Sequence, residues 1–191
     1  SASLARMRSS VRSRQAPPIL IFILILNNSI SLIGMAGAGK TSVGKLLSSR
    51  LNFSFIDSDK VIEKHYGKSL QKILEKEGKH IFQKIEQDTI LSTKFNKTIL
   101  STGGSVILLP VAMEYIKQNS KIIYIEVPYE KISERVNDFS QRGFIKRTDQ
   151  STKEAYLERM VLYQKYADHI VSNNDSMDEC VNVILEDVLE G

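Results

Sequence analysis

Cysteine is nearly absent: Cys180 stands alone in 191 residues, which excludes an intrachain disulfide and a cysteine-based zinc cluster and fits a reducing compartment. Histidine is almost as scarce, and His65, His80 and His169 share no metal-ligand spacing, so no metal site built from protein groups alone is expected. Long apolar runs are missing too. The longest, Ile19 to Leu26, supplies eight residues where a membrane-spanning helix needs about 20, so no membrane span is expected. Acid is missing from the front of the chain: no Asp or Glu precedes Asp57, while Arg6, Arg8, Arg12 and Arg14 lie close together. Taking those four from the 26 Lys and Arg leaves 22 to set against 22 Asp and Glu, so the net charge of +4 belongs to the front segment. The body is neutral, and no nucleic-acid partner is expected.

What is present describes one domain. With 42% hydrophobic and 25% charged residues the chain has enough apolar material for a single core, and no repeat or low-complexity linker divides it. Residues 1–27 read as an N-terminal extension outside the fold. Its Ser and Arg bias matches an organellar transit segment better than a secretory signal, since no small-residue cleavage site follows; an ill-ordered or upstream-translated run is the other reading, Met7 being the first Met. The protein is accordingly expected in the cytoplasm, or imported into an organelle if that segment is a transit peptide.

From residue 28 on, short β-branched runs alternate with longer segments of helical period, the mark of a parallel sheet with crossover helices on both faces. The expected strands are Ile30–Ile33, Phe53–Ile56, Thr98–Ser101, Lys121–Glu126 and His169–Val171. The expected helices are Lys40–Leu51, Lys60–Tyr66, Gly78–Lys94, Val111–Gln118, Tyr129–Asn137, Thr152–Ala167 and Ser176–Leu189. In the sixth helix, Leu157, Val161, Leu162 and Tyr166 are read as the buried stripe, with Arg159 the charged residue among them. Residues 138–150, DFSQRGFIKRTDQ, are polar, basic and aperiodic, and are read as a short mobile lid whose Arg142, Lys146 and Arg147 bring positive charge to phosphates.

Four stretches carry the chemistry. GMAGAGKT, Gly34 to Thr41, fits G-x-x-x-x-G-K-[ST] and sits between an expected strand and an expected helix, the context that gives the pattern its meaning. Gly34, Gly37, Ala38, Gly39 and Ser42 belong to a loop whose amides ring phosphates at a helix N-terminus, Lys40 reaches the β and γ phosphates, and the Thr41 hydroxyl suits Mg²⁺. The ligand called for is ATP with Mg²⁺. FIDSD places two acids at the carboxyl end of a strand, where open α/β sheets bind ligands. Asp57 is suited to the Mg²⁺; Asp59 is suited to orienting or deprotonating an acceptor hydroxyl, or to capping the helix expected from Lys60. STGGS, after the next strand, exposes backbone amides at Gly103 and Gly104. Arg159 follows the lid.

In that order, GMAGAGKT, FIDSD, IEKHYGKSL…EKEGKHIFQKIE, STGGS, a lid and RMVLY, the chain resembles the shikimate kinases over roughly residues 30–189. The resemblance implies a three-layer P-loop kinase fold of the nucleoside-monophosphate-kinase type with a five-stranded parallel sheet, and ATP-dependent phosphorylation of the 3-hydroxyl of shikimate on the route to aromatic amino acids. It implies that Asp59 contacts the acceptor hydroxyls, Asp57 serves the magnesium site, Gly103 and Gly104 line the substrate pocket, Arg142 is the lid arginine, Arg159 grips the substrate carboxylate and Arg135 lies near the adenine beside the turn Ser172 to Asp175. A small-molecule substrate and a monomer are expected.

The sequence also departs from that pattern. Where the family has an arginine for the substrate carboxylate, this chain has Gln83, which cannot offer a charged fork. At roughly 1.5–3 kcal/mol for each hydrogen bond to a charged group, losing one or two weakens binding of an acid by about ten- to several-thousand-fold. Ser105 replaces a third glycine, Gly143 a proline after the lid arginine, and Val161 a proline in RMVLY. Two further readings follow: a kinase of the same build acting on another small hydroxylated metabolite, or a nucleotide-binding module without catalysis. The module would predict damage to Lys40, Thr41, Asp57 or Asp59, and all four are intact.

Overall fold

The computed structural model describes residues 29–136, 139 and 144–190, with side chains to residue 186. The front extension and Arg142 of the lid lie outside the described residues. The elements run β1 (Ser29–Ile33), α1 (Lys40–Leu51), β2 (Ser54–Asp57), α2 (Ser58–Tyr66), α3 (Leu70–Leu91), β3 (Thr98–Ser101), a 3₁₀ turn (Val106–Leu108), α4 (Pro110–Asn119), β4 (Ser120–Glu126), α5 (Tyr129–Arg135), α6 (Thr152–Tyr166), β5 (His169–Ser172) and α7 (Met177–Glu190). The five strands form one parallel sheet in the order β2-β3-β1-β4-β5.

Alternation along the strands separates two apolar layers. Ile30 and Leu32 of β1 and Ile123 and Ile125 of β4 face one side, where Val43 and Leu47 of α1 and Val181 and Ile184 of α7 cover them. Ile33, Leu100, Ile122 and Tyr124 face the other, against Ile90 of α3, the Ala112–Met113–Ile116 face of α4 and Tyr163 of α6. A central strand covered on both faces has no solvent side for polar residues, and the two serines of β1 are satisfied internally. Ser31 Oγ bonds Ser120 Oγ at 2.7 Å, and Ser29 Oγ accepts from the Thr98 amide at 3.1 Å. A third, smaller cluster of Ile62, Leu70, Ile73, Phe82 and Ile145 joins α2, the two arms of α3 and the chain after the lid.

Because the sheet is parallel, the loops after β1, β2 and β3 leave from one edge, and Asp57 pairs in register with Ser101. That edge is where the phosphate loop, the paired acids and the Gly-Gly turn meet.

Three local expectations need correction. The helix after β2 begins at Ser58, one turn position before Asp59, and its N-cap is Asp57, whose side chain accepts from the Lys60 amide at 3.2 Å. A cap requires extended backbone, which Asp57 has and a residue inside the first turn cannot adopt. The third helix starts at Leu70, capped by Ser69, and is interrupted at Gly78 (φ 78°, ψ 167°), so the glycine read as a start is a break between two arms. In α6 the apolar stripe is half misassigned: Leu162 and Tyr166 are partly buried against the core, but Leu157 is exposed, Val161 is 61% exposed, and the fully buried residues are Ala155, Tyr156, Arg159 and Tyr163. A guanidinium took the inward face because polar main-chain partners await it there.

Candidate active site

The phosphate loop closes on α1 through Gly39, which is the helix N-cap at φ 92°, a left-handed conformation that a side chain would strain. No side chain caps this helix, so its first amides are directed at the cleft as an anion cradle. Lys40, only 7% exposed, folds over the loop and donates to the carbonyls of Gly34 at 2.7 Å and Met35 at 2.9 Å. Thr41 Oγ1 donates to Asp57 Oδ2 at 2.7 Å. A hydroxyl and a carboxylate oxygen thus meet beside the helix N-terminus, an all-oxygen donor pair of the kind that suits Mg²⁺ next to phosphate.

The loop is held from below by the turn after β5. Asn173 Nδ2 donates to the Ala38 carbonyl at 2.8 Å, and Arg135 Nη2 donates to the Asn173 carbonyl at 2.9 Å. Arg135 and the Ser172–Asp175 turn are therefore together, as expected, and Asn173 gives that turn a second task as a strut for the phosphate loop.

Across the cleft, Asp59 and Glu86 converge on Gly103. A Cβ at Gly103 would sit 2.6 Å from Asp59 Oδ1 and 3.1 Å from Glu86 Oε1, so glycine is what permits both carboxyls to stand there. The Gly103 amide donates to Ser58 Oγ at 3.0 Å, which fixes the turn to the start of α2. Asp59 is half-buried overall, but its carboxyl lies in the cleft floor; that desolvation pushes its pKa up to about 6, against the pull of Lys40 and with the push of Asp57 and Glu63. Glu86 is 3% exposed; its Oε1 accepts from the Ser105 hydroxyl and its Oε2 has no hydrogen-bond partner. Burial pushes the Glu86 pKa up to about 8, the Ser105 bond opposing and Asp59 adding to the rise.

Arg159, 2% exposed, enters from α6. It donates to the Gly104 carbonyl at 3.3 Å and to the Ile145 carbonyl, and its guanidinium stacks on the Phe144 ring at 4.4 Å. Tyr163, one turn on, donates its hydroxyl to the same Gly104 carbonyl at 2.7 Å. Arg147 pairs with Glu158 at 2.8 Å, and neither it nor Lys146 is among the residues that line the cleft.

These groups line one cleft of about 540 Å³, from Gly37, Gly39, Lys40, Thr41, Ser42 and Arg135 at one end to Asp59, Gly103, Gly104 and Arg159 at the other, with Asp57 between. Gly34 and Ala38 stand behind the wall, one carbonyl holding Lys40 and the other accepting from Asn173. Gln83 is half-buried and is not on the lining, although Phe82 and Glu86 of the same helix are. Glu86 was missed in the sequence. Its signal was available: Phe82, Glu86 and Ile90 recur every fourth residue, an acid in phase with a buried stripe.

The comparisons agree with this geometry. The family model described as shikimate kinase matches residues 36–189. A shikimate kinase of Clostridium botulinum (strain Eklund 17B / Type B) is 34% identical over 160 residues, 83% of this chain and 96% of the relative. The chain belongs to the shikimate kinase family. A second member, the shikimate kinase of Aquifex aeolicus (strain VF5), is 36% identical over 158 residues, covering 82% and 93% of the two chains. Among solved structures, an Acinetobacter baumannii shikimate kinase in complex with shikimate superposes with a TM-score of 0.79 at 28% identity, covering 89% of this chain and 97% of that one. The Aquifex aeolicus enzyme gives a TM-score of 0.74 at 36% identity, covering 85% and 96%. These matches favour the shikimate kinase reading over a different acceptor or a non-catalytic module, and with the parallel sheet they establish the P-loop kinase fold expected from the resemblance. Among the described residues no helix is long and apolar enough to cross a membrane.

Proposed function

We propose that this chain transfers the γ-phosphoryl group of ATP to the 3-hydroxyl of shikimate. The observation that carries the reading is the opposition of Lys40, Thr41 and Asp57 to Asp59, Gly103 and Arg159 across one cleft, a donor end and an acceptor end in a family of shikimate kinases.

Each residue has a task. The α1 amides and Lys40 hold the β and γ phosphates; Lys40 stays near the charge that spreads over the phosphoryl oxygens during in-line transfer. Thr41 and Asp57 are the groups that would hold Mg²⁺, which supplies neutralisation of the phosphate charge when bound. Asp59 accepts from the attacking hydroxyl and orients it. Arg159 meets the acceptor carboxylate, and the Gly103–Gly104 turn seats the ring. Arg142 belongs to the lid and is assigned to the transferring phosphoryl group on the resemblance alone.

The test is an ADP-release assay with Mg-ATP and a panel of hydroxy acids and polyols that includes shikimate, with Lys40→Ala as the blank. Shikimate should stimulate turnover well above every other acceptor. If another acceptor is preferred, or none stimulates ADP release, the reading is wrong.

A further inference from the structure

The two ends of the chain carry opposite charge. Before Lys40 there are four Arg and no acid, whereas from Asp168 onward there are seven Asp and Glu and no Lys or Arg. The acidic end builds β5 and α7, and β5 closes the sheet: β4 pairs with it on one side, and among the described residues no strand flanks the other. Natural sheets cover or charge such an edge. Here it is apolar. Ile170 of β5 is 47% exposed, and Met177 and Val183 of α7 are 39% and 38% exposed. Ile170, Val171, Cys180 and Val183 line a groove of about 200 Å³ along this edge, with Asp175 and Glu179 also on its lining. Glu179 and, at the foot of β5, Asp168 are exposed and make no ion pair among the described residues.

The front of the chain holds a matching segment. Ile19 to Leu26 is an uncharged run rich in isoleucine, the composition of a strand covered on both faces, and it follows Pro17 and Pro18 and, before them, Arg6, Arg8, Arg12 and Arg14. Its reach agrees with the groove. Ser29, the first residue of β1, pairs with Ser120, while β5 begins opposite Ile123, three residues farther along β4. A place beyond β5 therefore lies three strand spacings across, about 14 Å, and three residues up, about 10 Å, or about 17 Å from Ser29 in all. Five residues of extended chain span about 17 Å. That brings Leu24 level with His169 and sets Ile19 to Leu24 antiparallel to β5. The prolines, which cannot donate to a ladder, then fall beyond the end of β5, and the arginines before them on the side of Asp175 and Glu179. The opposite edge is a poorer match: Phe55 and Ile56 of β2 are mostly covered, and Lys97 stands alongside Ser54, a charge that opposes arginine.

We propose that Ile19 to Leu24, which lie outside the described residues, dock on the outer edge of β5 as a sixth, antiparallel strand, with the arginines before them held by the acids of β5 and α7. The turn after β5 carries Asn173, whose amide holds the phosphate loop at Ala38, so the docked segment braces the nucleotide end of the cleft from outside. This inference is independent of which acceptor the cleft takes.

The experiment uses the full chain in a Cys180→Ala background. Ile170→Cys is combined in turn with Leu20→Cys, Ile21→Cys, Phe22→Cys and Ile23→Cys, and disulfide formation is read by non-reducing electrophoresis. A docked strand should cross-link within one chain, at least about fivefold more at alternate positions than at those between them, because side chains on a strand alternate between faces. The same four positions against Lys97→Cys, beside β2, should give at most about one-fifth of that yield. Changing Arg6, Arg8, Arg12 and Arg14 together to Glu should cut the best yield at least about threefold. In the chain without added cysteines, Ile21→Asp with Ile23→Asp should quicken amide hydrogen exchange across residues 169–172 at least about tenfold. No cross-link, equal yields at all four positions, or equal yields against both edges, the results for a segment that serves targeting alone, overturn the proposal. So do cross-links between chains, the result for a second copy seated on the edge. Exchange in β5 that ignores the two aspartates overturns it as well, a readout that needs no cysteine.

Discussion

Gly103→Ala should separate folding from chemistry. The new Cβ would meet Asp59 Oδ1 at 2.6 Å, where ordinary contact begins near 3.4 Å, so the carboxyl must retreat by about 0.8 Å. Glu86 Oε1, at 3.1 Å, must give a few tenths of an ångström as well. Neither neighbour is main chain, and both are side-chain ends, so the fold absorbs the methyl at an overpacking cost of about 1–3 kcal/mol. Asp59, however, is the group proposed above to aim the acceptor hydroxyl, and a misplacement on the order of 1 Å costs roughly 10²-fold in rate. We expect kcat for shikimate to fall about 30- to 100-fold, while the KM for ATP, set at the other end of the cleft, stays within about twofold. Coupled ADP release gives the kinetics, and a urea titration monitored by circular dichroism gives the stability. A variant that keeps kcat within threefold of wild type would refute the reasoning, because Asp59 would then not need the place that Gly103 leaves for it.

Lys40→Ala should leave a folded protein with kcat reduced roughly 10²–10³-fold, since it removes a donor aimed at developing phosphoryl charge; turnover near wild type would displace the nucleotide site. Asn173→Ala removes the buried bond to the Ala38 carbonyl, which should lower stability by about 1–3 kcal/mol and raise the ATP KM more than the shikimate KM, as read by denaturation and steady-state kinetics. Arg159→Lys keeps a charge but cannot stack on Phe144 and reach Gly104 together, so shikimate KM should rise at least tenfold with ATP KM unchanged. Finally, Glu86 binds its proton more tightly in the folded chain, with a pKa of about 8 against an ordinary value of 4.5. Between those values the folded state holds more protons than the unfolded one, so this group's contribution is intact below about pH 4.5 and is lost as pH rises through about 8. Wild type should therefore lose more unfolding free energy than Glu86→Gln between pH 5 and 9; parallel losses in paired denaturation curves would contradict it.

The parts of the fold legible in the sequence were those dictated by local pattern. Five β-branched runs gave five strands to within a residue or two at their ends, and the Gly34–Thr41 motif declared both the turn and the helix after it. What was not legible depended on tertiary partners. Arg159 looks like a solvated charge because sequence period shows only its neighbours on α6, not the Gly104 and Ile145 carbonyls that wait for it on other segments. The first arm of α3 went unread because Leu70, Ile73 and Leu74 are too sparse an apolar set to predict a helix alone; packing on Ile62, Phe82 and Ile145 stabilises it. Asn173 was seen as part of a turn, and nothing local indicates that its amide reaches the phosphate loop across 135 residues.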